Sequence, residues 1–294
     1  MKIGSFQFHQ PITELNEPYV LATLRPWVDV NNVGSLTLHE LETRFAAKEI
    51  GFLSKPGCFY DFTRYRPIVN IDGGIKEMSI PNTTIHCATR EGYNDLLLLN
   101  MLEPHVNSEL YIASVIKFLK VFNVKKYVFL GSMYDTVPHT KPLLVSGYGM
   151  GEEALKDVKK AGILPITYSG PSTIINMITK EAARIGIDAL ALIVSLPQYV
   201  VLNEDYMGKV RLMEILNMLY NIPVDKEDFE KALEQLNLIN KKIESSPDIR
   251  MLLPQLESIY DMRVNSTQRD ESALLTPEME ELLWKMTGKN IGKA

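Results

Sequence analysis

The stretch YVFLGSMYDTVPHTKP, residues 127–142, joins two kinds of chemistry. Tyr127 to Gly131 read as a short buried strand, and the next residues read as a polar loop carrying Ser132, Asp135, His139 and Lys141. In an open α/β sheet, ligands bind outside the carboxyl ends of the strands, so such a loop is the first place to look for a site. The same residues also suit a plain surface turn shaped by Pro138 and Pro142.

Working outward, the alternation continues on both sides. Downstream, helix Glu152–Lys160, strand Leu164–Tyr168, helix Ser172–Ile185 and strand Ala189–Leu196 follow one another. Upstream, strand Tyr19–Leu24 leads through the loop Pro26–Gly34 into a helix over Ser35–Ile50, with Leu38, Leu41, Phe45 and Ala46 at helical spacing and Ser35 as its cap. Three extended segments come next, Pro67–Ile71, Ile75–Ile80 and Thr83–Ala88, the first two joined by a tight turn at Asp72-Gly73-Gly74. Asp95–Met101 is a continuous apolar run suited to a strand buried on both faces, and Ser108–Phe122 is an amphipathic helix. Strands alternating with helices of this length predict βαβ crossovers and a mainly parallel central sheet, an α/β fold. After Asp205 only helical patterns remain, at Met207–Tyr220, Lys226–Ile243 and Ile249–Met262, then a polar linker over 264–275 and a last helix over Pro277–Met286. The chain therefore divides at residue 204 into an α/β core, 1–204, and a helical extension, 205–294.

Composition excludes several classes. The 294 residues are 46% hydrophobic and 23% charged, ordinary globular material. A net charge of -5 argues against nucleic-acid binding, and the densest basic cluster, Lys117–Lys126, reads as a solvated helix face. Cys58 and Cys87 have neither CxxC nor Cys/His spacing and read as packed thiols. No apolar run approaches the ~20 residues that span a bilayer, and the start of the chain lacks an apolar targeting segment, so a cytoplasmic protein is expected.

Candidate chemistry is concentrated in loops. SGYGMGEEALKDVKKAG, 146–162, could cradle phosphate, but its GxGxG spacing and the acidic Glu152 and Glu153 at the helix start weigh against an anion. Trp27, Asp29, Asn31 and Asn32 follow the first strand, and Gln198, Tyr199 and Asn203 follow strand Ala189–Leu196. Both loops leave the same side of the sheet as residues 132–142, so the three are expected to wall one cleft. The alternative packs Trp27 under the sheet edge and leaves the Asn pair to cap the next helix. Ser132, Asp135 and His139 are the residue types of a nucleophilic triad, crowded within eight positions, and a triad is defined by geometry. The scattered histidines suggest no metal site, and no cofactor is identified.

These segments together resemble the PAC2 family, named for a proteasome assembly chaperone. The resemblance covers roughly residues 18–220 and is carried by PWVDVNNVGSLTLHELE (26–42), KPGCFYDFTRYRPIV (55–69), DLLLLNMLEPH (95–105), VFLGSMYDTVPHTKP (128–142), YSGPSTIINMI (168–178), and LALIVSLPQYV with EDYMGKVRLMEIL (190–216). Val137–Pro142 corresponds to the family's VPHTRP. Lys141 stands where Arg is usual, and Leu196-Pro197-Gln198-Tyr199 where many bacterial members read VPHY; the first change loses a bidentate fork. The resemblance implies a three-layer α/β sandwich similar to the nucleoside phosphorylase and peptidyl hydrolase-like fold, with a helical carboxyl extension as in bacterial members, and a bacterial or archaeal relative. It implies no particular reaction, and nothing in the chain shows the paired carboxylates and lysines of the ATP-grasp ligases to which the family has been likened.

Two readings follow. One is an assembly-chaperone-like or interaction protein with a protein partner. The other is an enzyme or sensor in which His139 and Lys141 hold a small anionic metabolite while Asp29 or Asp135 acts as acid or base. Surplus apolar residues, Cys58-Phe59-Tyr60-Asp61-Phe62 and Tyr65 in one loop and Leu274, Leu275, Leu282, Leu283 and Trp284 near the end, predict a homo-oligomer, a trimer or dimer.

Overall fold

The computed structural model describes residues 1–9, 14–72, 75–166 and 168–265. The expected last helix and its leucines and Trp284 lie outside these residues.

In chain order the strands are β1 (Lys2–Ile3), β2 (Phe6–Phe8), β3 (Tyr19–Arg25), β4 (Lys48–Leu53), β5 (Ile68–Asp72), β6 (Ile75–Ser79), β7 (Thr84–Ala88), β8 (Leu96–Leu102), β9 (Lys126–Asp135), β10 (Val145–Met150), β11 (Leu164–Pro165) and β12 (Asp188–Pro197). The helices are α1 (Val33–Arg44), α2 (Ser108–Val121), α3 (Glu152–Lys160), α4 (Ile174–Arg184), α5 (Tyr206–Tyr220), α6 (Lys226–Glu244) and α7 (Pro247–Asn265). One mixed sheet runs β1-β2-β4-β7-β8-β3-β9-β12-β10-β11, and β5 and β6 form a separate two-stranded ribbon. The central strands β8, β3, β9 and β12 pair in parallel, while antiparallel pairs extend the sheet to β1 on one side and join β12 to β10 on the other.

Parallel strands need both faces covered. On one face α2 and α4 contribute Val115, Phe118, Leu119, Ile175 and Ile178 to a core that includes Val20, Leu97 and Phe129. On the other, α1 and α5 contribute Leu38, Leu41, Leu212 and Leu216 against Leu21, Leu98, Val128 and Leu192. Each fully buried side chain of this size adds about 1.5–3 kcal/mol. The result is the expected three-layer sandwich. Helix α5 is a member of its second layer, and α6 is fastened to α5 and α1 through Lys209, whose Nζ donates to Asp228 (2.7 Å) and Glu40 (3.4 Å).

Several local expectations change. The helix expected to run to Ile50 stops at Arg44, because Ala46 adopts a left-handed φ of 45° and the chain turns back as β4. Ser35 lies inside α1 rather than capping it. The strand expected to end at Gly131 runs to Asp135, so Ser132 and Asp135 are strand residues. The glycine-rich stretch is β10: a Cβ on Gly147 would collide with Ala191 O of β12, so the glycines there serve close strand packing. The strand at Leu164 is two residues long. Lys126 is buried, paired with Asp157 and lying 5.5 and 5.1 Å from the Tyr19 and Tyr220 ring centres, rather than on a solvated helix face. Cys58 is exposed rather than packed. Phe59 and Tyr60 belong to the core beside α2, which removes them from any surplus apolar surface.

Candidate functional site

The path of the chain after β3 shapes the site. After a cis Arg25–Pro26 bond, left-handed backbone at Val28 (φ 59°), Asn31 (φ 53°) and Asn32 (φ 59°) turns the chain, and the loop lies alongside β9 at the Asp29–Ser132 bridge. Such φ values are rare for a β-branched residue and cost roughly 1–2 kcal/mol. At Val28 the turn is held by hydrogen bonds: Ser132 N donates to Val28 O (3.0 Å), Ser132 Oγ donates to Val30 O (2.7 Å), and Asp29 bridges to Ser132. Ser132 is fully buried in this contact.

Asp29 faces the start of α1. Its Oδ1 accepts from Gly34 N (2.7 Å) and Ser35 N (3.2 Å), and its Oδ2 from Ser35 Oγ (2.5 Å). Burial raises the carboxyl above its ordinary range, against the lowering effect of these donors. The close approach needs glycine at 34, where a Cβ would meet Thr23 Oγ1 and Leu130 O.

Asn31 ties three loops together. Its Oδ1 accepts from Tyr134 OH (3.0 Å) and Leu202 N (3.3 Å), and its Nδ2 donates to Val200 O (3.5 Å) and Asp205 Oδ2 (3.3 Å). Asn32 Nδ2 donates to Asn203 O (2.8 Å). Residues 27–34, 132–142 and 197–203 therefore lie together at one end of the sheet.

The VPHTKP loop is wired to neighbours distant in sequence. Tyr199 OH accepts from His139 N (2.8 Å) and lies within hydrogen-bond distance of Nδ1 (2.9 Å). Burial lowers the His139 pKa, while Asn240 and Glu257 pull it the other way. Burial pushes the Tyr199 phenol up. Asp135 Oδ2 accepts from Ser195 Oγ (2.7 Å) and from Arg263 (2.9 Å). Lys141 Nζ donates to both oxygens of Asp261 (3.0 and 3.2 Å), which hold its ammonium above the ordinary range. Thr140 Oγ1 donates to Glu257 (2.5 Å), and Tyr260 OH to Pro142 O (2.9 Å).

Of the sequence candidates, Asp29, Asn31, Asn32 and Ser132 form one knot, and Asp135, His139, Lys141 and Tyr199 a second beneath α6 and α7. Gln198 is half-buried just after the end of β12. Trp27 is 64% exposed and does not pack under the sheet edge. Ser132, Asp135 and His139 each engage a different partner, so they do not form a relay. Sequence reasoning missed Ser195, Asp205, Asn240, Glu257, Asp261 and Arg263. Asp205 alone had a local signal, standing just before a helical pattern, where its Oδ1 accepts from Gly208 N (2.8 Å).

The N-termini of α1, α3, α4 and α5 are filled by the chain's own carboxylates. Asp188 Oδ1 accepts from Glu153 N and Ala154 N of α3 (3.1 and 3.2 Å), and Glu103 from Ile174 N of α4 (3.2 Å), as Asp29 and Asp205 do for α1 and α5. At these four ends an incoming phosphate would have to displace the resident carboxylate. Among the described residues no cluster of three or more His, Cys, Asp or Glu could hold a metal ion, and no helix is long and apolar enough to cross a membrane.

Comparisons follow the fold. A PAC2 family protein from Streptomyces avermitilis is similar with a TM-score of 0.69 at 23% identity, over 76% of this chain and 95% of that one. A Mycobacterium tuberculosis proteasome-assembly chaperone homologue is similar with a TM-score of 0.70 at 21% identity, over the same shares. The archaeal proteasome activator PbaB of Pyrococcus furiosus is similar with a TM-score of 0.62 at 15% identity, over 83% of this chain and all of its own. At these identities the likeness shows the fold. No curated protein matches the chain. The PAC2 family model matches residues 23–243, from β3 through nearly all of α6, a span that includes both knots of the site. The chain belongs to the PAC2 family.

Proposed function

We propose that this chain is an assembly-chaperone-like or interaction protein of the cytoplasm, which works by presenting a surface to protein partners and not by turning over a substrate. The relatives described as a proteasome-assembly chaperone homologue and a proteasome activator support that class of role. The observation that carries it is the β5–β6 ribbon. Ile68, Val69, Ile71, Met78 and Ile80 are all exposed, Ile71 by 73%, and the ribbon pairs with no other strand among the described residues. A two-stranded ribbon alone is marginally stable, and a concentrated apolar surface marks a contact site.

The occupant we assign to it is a second copy of the chain. The free edge of one ribbon strand can meet the same edge of another copy about a two-fold axis, satisfying both at once. This supports a dimer; a trimer follows if the ribbon seats on a different face of the next copy. Light scattering at micromolar concentration should give a mass above the 33.3 kDa of one chain. Ile71→Asp with Met78→Asp should return it to one chain, and a wild-type mass of one chain would remove the assignment. Purification from the native cell tests the wider reading. A stoichiometric protein partner supports it; recovery of the chain alone with a bound small molecule overturns it.

A further inference from the structure

The outer surface of the α2–α4 layer is apolar and basic. The two helices pack side by side over one face of the sheet and turn Val115, Phe118, Ile175 and Ile178 into the core. Their opposite sides carry Leu110, Val121 and Met177, 54%, 51% and 51% exposed, together with the exposed Lys117, Lys120 and Lys180. None of these three ammonium groups has an ion pair or hydrogen bond among the described residues. Glu181 beside them is taken by Arg184 (2.8 Å), and Glu109 stands eight residues before Lys117, about 12 Å along α2. An unopposed basic strip beside exposed apolar side chains fits an occupant that is acidic and apolar at once.

The chain itself contains such a segment. Residues 277–286, PEMEELLWKM, set three carboxylates, Glu278, Glu280 and Glu281, against one ammonium, Lys285, and join them to Leu282, Leu283 and Trp284. They lie outside the described residues, which end at Asn265. Reach allows the match. Arg263, two residues before that end, donates to Asp135 at the end of β9, and α4 begins at the same end of the sheet, where Ile174 N donates to Glu103 just after β8. The eleven residues 266–276 extend to at most about 36–40 Å, against a length of about 16 Å for α4. Helix α6 also exposes Phe229, Leu233 and Leu238, but both signs of charge stand among them, Glu227, Glu230 and Glu234 with Lys226 and Lys231, so it offers an acidic segment no net attraction.

We infer that residues 277–286 dock on the outer face of their own α2 and α4, with the carboxylates on Lys117, Lys120 and Lys180 and the leucines and Trp284 on Leu110, Val121 and Met177. This contact is independent of the ribbon contact and of any partner, and it takes Leu282, Leu283 and Trp284 out of the surface offered to other copies.

Trp27 and Trp284 are the two tryptophans of the chain, so Trp27→Phe leaves Trp284 as the sole reporter. In that variant Trp284 should emit to the blue of the same residue in a synthetic peptide of 266–294 and be quenched several-fold less by acrylamide, at a level constant across a protein concentration series. Adding Lys117→Glu with Lys180→Glu should return emission and quenching to those of the peptide. Raised sodium chloride should act in the same direction without any further substitution. Both lysines are exposed and unpaired, so circular dichroism should show this variant folded like its parent; Lys117→Gln with Lys180→Gln is the milder pair and should shift the emission the same way. Leu233→Glu on α6 should leave Trp284 unmoved. Peptide-like emission in Trp27→Phe, indifference to charge reversal or to salt, or a red shift in Leu233→Glu would overturn the inference. Protection that grows with protein concentration would also overturn it, by assigning the segment to a second copy.

Discussion

Asp29 has the residue type of an acid or base and the position of a helix cap, and the two roles predict different experiments. Asp29→Ala should destabilise the chain by about 1–2 kcal/mol in urea unfolding, the cost of losing a cap. Asp29→Asn should lose less, because an amide oxygen can still accept from Gly34 and Ser35. His139 predicts a pH dependence. Burial holds its folded pKa below the unfolded value of about 6.5, so as pH falls the unfolded chain takes up the proton first. The stability contributed by neutral His139 is therefore complete above about pH 6.5 and is lost as pH falls through the folded pKa. Urea melts of wild type and His139→Gln across this window should show a smaller loss in the variant. Which loops approach one another was legible from strand order, since Trp27, His139 and Tyr199 all follow parallel strands. Their partners were not: Asp261 is 120 residues from Lys141 and Asp205 is 174 from Asn31, and such separations leave no local pattern.

Among the elements, the α5–α6 contact offers the sharpest test. The Lys209 side chain is 6% exposed and that of Asp228 4%, and Asp228 Oδ2 has no hydrogen-bond partner. Lys209→Met leaves a buried carboxylate without its cation and should cost about 3–5 kcal/mol by chemical denaturation. Adding Asp228→Leu should recover most of that loss, since a buried pair replaced by apolar groups of similar volume is nearly neutral. The strands buried on both faces, β3, β8, β9 and β12, were legible because Val, Leu and Ile runs have few other uses. β4 was hidden because Phe45 and Ala46 continue the spacing of α1, and only the left-handed turn at Ala46 separates the two. β10 was hidden because Gly147 and Gly149 have no side chains with which to display alternation.

For the molecule as a whole, the division at residue 204 remains a proposal with a direct consequence. A chain ending at 204 would uncover the surface that Leu212, Met213 and Leu216 fill against α1 and β12, and it should be insoluble or strongly destabilised. A soluble, cooperatively melting fragment would count against this, and would make α5 an accessory to a core complete without it. Strand order has a further effect during synthesis. β3 lies between β8 and β9, with Val20, Leu21, Ala22 and Leu24 fully buried there, although it leaves the ribosome well before either neighbour. About 110 residues separate the end of β3 from the end of β9, a delay of roughly 5–20 s at ordinary elongation rates. Until β8 emerges the nascent chain displays an apolar strand with two open edges, and from then until β9 emerges one edge stays open. Stalled translation products ending between β3 and β9 should therefore be protease-sensitive and bind holding chaperones, and protection of residues 19–25 should arise only once β9 has emerged.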